Sequence, residues 1–263
     1  MKPSILLIYG TSALLLGTIS TPAMGVTIDL FQDVNDTTFN DQYVEVTPSS
    51  PTIVNDRDTG LNSNRVIGGE RYIQIEKLTA GTGRNSNASL SVNANTQNAT
   101  SSADVGYTAR LTIRWDGTES PINSGEYSLG GFNGSGDPIG VDLTQNNHDS
   151  FRLQLISTDK PITLTFTAVD TFGNTGNIDW NVPANTINTP HYFSYSDASS
   201  VDFTNVRSIS LTTSNEQIDT DIQFDFIETA VQPVPFEFSS SLGIIFCGGF
   251  FGIHQLRKRL QST

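Results

Sequence analysis

Residues 107–115 read Tyr107, Thr108, Ala109, Arg110, Leu111, Thr112, Ile113, Arg114 and Trp115. Tyr107, Ala109, Leu111, Ile113 and Trp115 share one face, and Arg110, Thr112 and Arg114 share the other. A period of two with the apolar set on one side is the pattern of a half-buried strand. Asp116 and Gly117 then form a turn. The same period recurs outward from this stretch. Ile73 and Ile75 alternate with Tyr72, Gln74 and Glu76; Ala88, Leu90, Val92 and Ala94 alternate with Ser89, Ser91 and Asn93. Phe151, Leu153 and Leu155 oppose Arg152 and Gln154, and Ile162, Leu164, Phe166 and Ala168 alternate with threonines. Ile178, Trp180 and Val182 share a phase, which assigns Trp180 as well as Trp115 to the core. The last strand spans 221–228, with Ile222, Phe224 and Phe226 opposite Gln223 and Asp225. Nine or ten strands without an amphipathic helix predict an all-β body, with two antiparallel sheets packed as a β-sandwich.

The pattern is weaker elsewhere. Val26, Ile28 and Leu30 make a first strand with Asp29 on its outward face. Residues 33–65 are rich in Asp, Asn, Thr, Ser and Pro and are expected to be loop, with at most an edge strand over Tyr43–Val46. Asp56, Arg57, Asp58, Thr59 and Gly60 match a calcium loop only in part, lacking the third spaced ligand and the distant Glu, and read as a solvated turn. Residues 121–140 and 183–190 read as connections, and His191–Tyr195 as an aromatic strand.

Both ends of the chain carry addresses. Lys2, an apolar run over 5–19 and the small residues Ala23 and Gly25 form a signal peptide over 1–25, with cleavage expected before Val26. At the other end, an uncharged apolar segment over 239–254 is followed by Arg257, Lys258 and Arg259. The segment is a short membrane span, and the basic cluster is a stop that stays on the cytoplasmic side. The remaining body, residues 26–232, is expected to be a single extracytoplasmic domain. Cys247, the one cysteine, lies inside the span as an apolar filler or a lipidation site, so no disulfide staples the body. With 27 acidic and 14 basic residues the net charge is −13, which argues against nucleic acid and anionic bilayers as partners.

Val234, Pro235, Phe236, Glu237, Phe238 and Ser239, followed by the Gly-rich span and by Leu256, Arg257, Lys258 and Arg259, resemble the PFE-CTERM variant of PEP-CTERM sorting signals. The resemblance implies that Pro235, Phe236 and Glu237 are recognised by an exosortase-type membrane peptidase. The precursor would then be held transiently in the inner membrane and delivered to the cell surface or extracellular matrix. A second resemblance covers residues 194–206, Ile209–Leu211 and 221–226, with Asp202, Phe203, Thr204, Asn205 and Val206 as its corner. These segments look like the closing part of galactose-binding-like jelly rolls, which implies a jelly-roll form of the sandwich. Members are commonly carbohydrate-binding modules, and many carry a structural calcium tying the first strand to the last. That implication makes Asp29 and Asp225 candidate calcium ligands, against the alternative of two unrelated surface aspartates; no other cofactor is expected.

Catalytic signals are absent from the sequence. His148 and His191 are the only histidines of the body, with no Cys or Glu at ligand spacing, and read as surface residues. No nucleophile elbow occurs, and the aspartates fall mostly in turns. The expectation is therefore a non-enzymatic protein. One polar face stands out: Tyr72, Gln74 and Glu76, Arg110 and Arg114, and Arg152 and Gln154 would form a ligand face if their strands were neighbours. The alternative is an ordinary solvated face, since no exposed Trp is available to stack on a sugar. Two functions follow: a structural protein of the surface or matrix, or a carbohydrate-binding module for a surface polysaccharide.

Overall fold

The computed structural model describes residues 25–33, 41–79, 87–104, 106–122, 125–214 and 220–233. The signal peptide and the sorting segment, including Pro235, Phe236, Glu237, Arg257, Lys258 and Arg259, lie outside the described residues. Residues up to Ala230 form one compact unit; Val231 begins a second, of which 231–233 are described.

Fifteen strands occur among the described residues: β1 (Thr27–Asp29), β2 (Asp41–Val46), β3 (Ile53–Asp58), β4 (Arg71–Thr79), β5 (Ala88–Asn93), β6 (Asn98–Ala103), β7 (Thr108–Trp115), β8 (Thr118–Glu119), β9 (Tyr127–Ser128), β10 (Ser150–Thr158), β11 (Ile162–Asp170), β12 (Thr175–Val182), β13 (Thr186–Ser194), β14 (Val206–Ser214) and β15 (Ile222–Ala230). Sheet A runs β13-β10-β15-β6-β5-β2, with β1 also on β15; sheet B runs β12-β11-β14-β7-β4-β3; β8 and β9 form a separate hairpin. All pairings are antiparallel. Buried apolar side chains of both sheets form one core, so the fold is the expected β-sandwich.

Alternation works where a strand has one dry and one wet face. Leu111, Ile113 and Trp115 on β7 are buried, as are Ile73 and Ile75 on β4 and Leu164 and Phe166 on β11. It fails at β3 and β6, absent from the sequence reading, because both are built mainly of polar or small residues. Asp56 and Asp58 accordingly belong to a strand and not to a turn. Residues 183–190 are not all connection, since β13 begins at Thr186 and carries Pro190. A register shift between β15 and β10 turns Phe226 from the expected inner face to the outer one, where the Arg152 guanidinium lies 4.8 Å from its ring centre.

Asp29 does not face outward. It is fully buried and gathers four donors. Arg71 Nε donates to Oδ2 at 2.6 Å and Arg71 Nη2 to Oδ1 at 2.8 Å, while Trp115 Nε1 and the Phe31 backbone N–H donate at 2.8 Å each. Arg71 is itself fully buried, and its Nη1 donates to the Asp33 carbonyl at 3.0 Å. β1 belongs to sheet A, whereas Arg71 and Trp115 belong to sheet B, so this carboxylate ties the two layers together. β1 does pair with the last strand, as the calcium reading required. Both Asp29 oxygens are nevertheless committed to protein donors, and no group of three or more His, Cys, Asp or Glu among the described residues is placed to hold a metal.

The histidines also depart from expectation. His148 is buried, with Nδ1 2.7 Å from Thr229 Oγ1, and the Val26 N–H donates to the same hydroxyl at 2.8 Å. His191, on β13, stacks on Trp180, on β12, with ring centres 4.1 Å apart and planes 3° from parallel. Trp180 is therefore not a central core residue; half-buried, it closes the side where the outer strands of the sheets meet. Burial lowers the His191 pKa from 6.5 to about 4.

Two outcomes are expected. Asp29→Ala strands a buried guanidinium and should cost about 3–5 kcal/mol in urea unfolding, while Asp29→Ala with Arg71→Met should cost less than the two single changes summed. For His191, the unfolded chain takes up a proton near pH 6.5 and the folded chain only near pH 4. Its contribution is complete above pH 6.5, declines as pH falls through that window and levels off below it. Against His191→Phe, the wild-type protein should lose relative stability over that interval; a flat difference would contradict the assignment.

Candidate functional site

On sheet B, β4 and β7 are neighbours, with Tyr72 opposite Arg114, Gln74 opposite Thr112 and Glu76 opposite Arg110. Five of the seven residues expected to form a ligand face, Tyr72, Gln74, Glu76, Arg110 and Arg114, thus share one surface. Arg152 does not join them. It lies with Gln154 on β10 of sheet A, where its guanidinium donates to Glu228 at 2.7 Å. The expectation assumed neighbouring strands, and the pairing order places β10 in the other layer.

Arg110 is engaged with Glu76 at 2.7 Å in an exposed cross-strand pair, the ordinary chemistry of an outer face. The other end of the face is more organised. Asp116, just past β7, is almost fully buried and accepts a forked contact from Arg57, Nη1 to Oδ1 at 2.9 Å and Nη2 to Oδ2 at 3.1 Å. Arg57 Nη1 also donates to Glu70 at 3.1 Å. Arg114 Nε lies 2.6 Å from Asp116 Oδ2, an ion pair in which the N–H is not aimed along the contact. The Arg57 guanidinium is 4.0 Å from the Tyr127 ring centre and 5.4 Å from that of Tyr72, and the Arg114 guanidinium is 4.4 Å from Tyr72. Cation–π attraction and the shared carboxylate therefore lock two arginines and two tyrosines together.

The local sequence explains how this assembles. Gly117 has φ 63°, and a Cβ there would run into the Ser128 carbonyl and Leu129, so glycine lets the β8–β9 hairpin fold back over the end of β7. The hairpin carries Glu126 and Tyr127 over the sheet, and Arg207 stands 3.7 Å from Glu126. Between them lies a cleft of about 340 Å³ lined by Arg114, Asp116, Gly125, Glu126, Tyr127, Arg207 and Ser208. Burial raises the Glu70 pKa against the opposing pull of Arg57, and burial likewise raises that of Tyr72. For Arg57, burial works to lower the pKa but the hydrogen bond and charge of Asp116 outweigh it, so the guanidinium stays charged.

Arg57, Asp116, Glu126, Tyr127 and Arg207 were not singled out from the sequence. Asp116 has the local signature of a turn residue, and Arg57 sits in a segment with no clean alternation, so their meeting across 59 positions left no local signal.

The same face continues beyond the cleft. On β11 and β12, Thr163 donates to Asn181 at 2.8 Å, Thr165 to Asp179 at 2.7 Å and Thr167 to Asn177 at 2.8 Å, three successive rungs. On β14 and β7, the Thr212 and Thr112 hydroxyls are 3.4 Å apart. Asp116→Asn should weaken both arginine contacts, cost roughly 1–3 kcal/mol and speed amide exchange in the 117–128 hairpin; unchanged exchange there would show that the hairpin does not depend on the carboxylate.

No family model matches the chain, and no curated protein matches it. Among solved structures, an exo-β-agarase aligns at 9% identity and a TM-score of 0.39 over 81% of this chain but only 26% of its own length. The family 11 carbohydrate-binding module of the cellulosomal cellulase Lic26A-Cel5E of Clostridium thermocellum aligns at 8% identity and a TM-score of 0.33, over 75% of this chain and 98% of its own. A family 29 carbohydrate-binding module aligns at 8% identity and a TM-score of 0.30, over 70% and 99%.

Proposed function

We propose that the body is a non-catalytic, saccharide-binding β-sandwich, exported and displayed on the cell surface or in the extracellular matrix after sorting by an exosortase-type peptidase. The cleft at the end of sheet B carries this reading. Its lining carries two guanidiniums, Arg114 and Arg207, and two carboxylates, Asp116 and Glu126, so donors and acceptors stand side by side without a net charge to attract an ion. Planar forks next to carboxylates suit the paired hydroxyls of a neutral sugar, with Tyr127 supplying apolar ring surface. Neighbouring groups already hold Arg57 and Arg114 in place, which reduces the ordering cost on binding. One observation favours the second reading, a purely structural matrix protein: guanidiniums already lie over the Tyr127 and Tyr72 rings, leaving less ring face for a sugar.

A glycan array probed with residues 26–232, with and without calcium, separates the two. Saturable binding that Arg114→Ala or Tyr72→Ala weakens about tenfold or more, the worth of a hydrogen bond to a charged group, supports the saccharide reading. Absence of binding leaves the structural one. Export and sorting are tested in cells. Deleting residues 1–25 should retain the protein in the cytoplasm, and alanines at Pro235, Phe236 and Glu237 should leave an unprocessed membrane-held precursor; unchanged processing would refute the sorting signal.

A further inference from the structure

Arg114, which lines the cleft, also belongs to a row that crosses sheet B perpendicular to its strands. Asn177, Thr167, Ser210 and Arg114 stand in register on β12, β11, β14 and β7. A second row, Asp179, Thr165, Thr212 and Thr112, runs beside it on the same strands. These side chains are half-buried or exposed and alternate with the buried set, so all eight lie on the outer face. With strands 4.7–4.9 Å apart, each row is about 14 Å long.

The chemistry of the rows is uniform. They hold hydroxyls and amides, one guanidinium and one carboxylate, and no large apolar side chain. An apolar partner finds no surface to bury there, and a polyanion finds a single arginine balanced by Asp179 on a protein of net charge −13. The threonine rungs fix their own rotamers before any ligand arrives. Each rung uses one amide or carboxylate oxygen, leaving the N–H groups of Asn177 and Asn181 and acceptor capacity on Asp179 for an incoming hydroxyl. The hairpin bearing Glu126 and Tyr127 stands at one side of this floor.

We infer that the outer face of β12, β11, β14 and β7 continues the cleft as a platform for an extended, uncharged polysaccharide chain, which lies across the strands with one part in the cleft. The ligand is then an internal stretch of polymer and not a single terminal sugar. This inference rests on the saccharide reading of the cleft and adds the length and charge class of the ligand.

The test is a titration of residues 26–232 with neutral ladders of β-linked gluco-, manno- and galacto-oligosaccharides, from dimers to octamers. Affinity for the ladder that binds should rise by about tenfold or more from its shortest binding member to its longest. Thr165→Val with Thr212→Val keeps β-branched side chains on both strands while removing the central hydroxyls. That variant should bind short oligomers as the wild type does but lose the gain with length, whereas Arg114→Ala should weaken binding at every length. If the double variant does not melt as the wild type does, Ser210→Ala is read in the same way. Affinity independent of length, or a platform variant that binds long oligomers unchanged, overturns the platform and leaves the cleft reading standing. No binding by any member of the ladders overturns both.

Discussion

The buried carboxylate of Asp29 is the constraint on which the sandwich depends. An arginine as deep as Arg71 is tolerable only with a carboxylate in place, because an unpaired guanidinium in a dry core costs several kcal/mol. The partner comes from the shortest of the long-range strands, β1, which reaches across from sheet A. Four donors converge on one side chain, and three of them, two from Arg71 and one from Trp115, belong to sheet B. β1 is thus bonded to the last strand, β15, by strand pairing and to the middle of the opposite layer through Asp29. Registration of the two sheets is set by directional bonds in addition to apolar packing, which is comparatively indifferent to small slips.

The same economy recurs at the surface, where a single carboxylate, Asp116, organises two arginines. The difference is exposure. Asp29 has no access to water and its role ends with the fold, whereas Arg114 is partly exposed and retains donors beyond its contact with Asp116. A cleft built from neutralised, pre-positioned charges offers hydrogen bonds without a strong field. Under the proposed saccharide reading, that suits ligands rich in hydroxyl groups.

Edges are handled by closure. β12 and β13 are the outer strands of different sheets yet follow one another in the chain, and the Trp180–His191 stack lies between them. The aromatic set continues inward through Phe193, Phe166 and Phe151, so the side of the sandwich is sealed by rings in edge-on and stacked contact.

Strands with one dry face were legible because burial writes a period of two into the residues: 107–115, 72–77 and 162–168 each show it, and the all-β class followed. The candidate face on β4 and β7 was legible for the same reason, as the polar complement of that period. Strands β3 and β6 were not, because short polar or small side chains carry no hydrophobic phase. The roles of Asp29, Asp116 and Arg57 were also invisible. Alternation reports which way a side chain points, whereas its partner depends on strand order, and nothing local in Asp29 indicates an arginine 42 positions away. What the sequence determined by itself was therefore the strand content and the faces. The tertiary structure decided which polar faces meet, placing Arg152 in one layer and Arg114 in the other, because the pairing of strands is a long-range choice settled by the packing of the whole core.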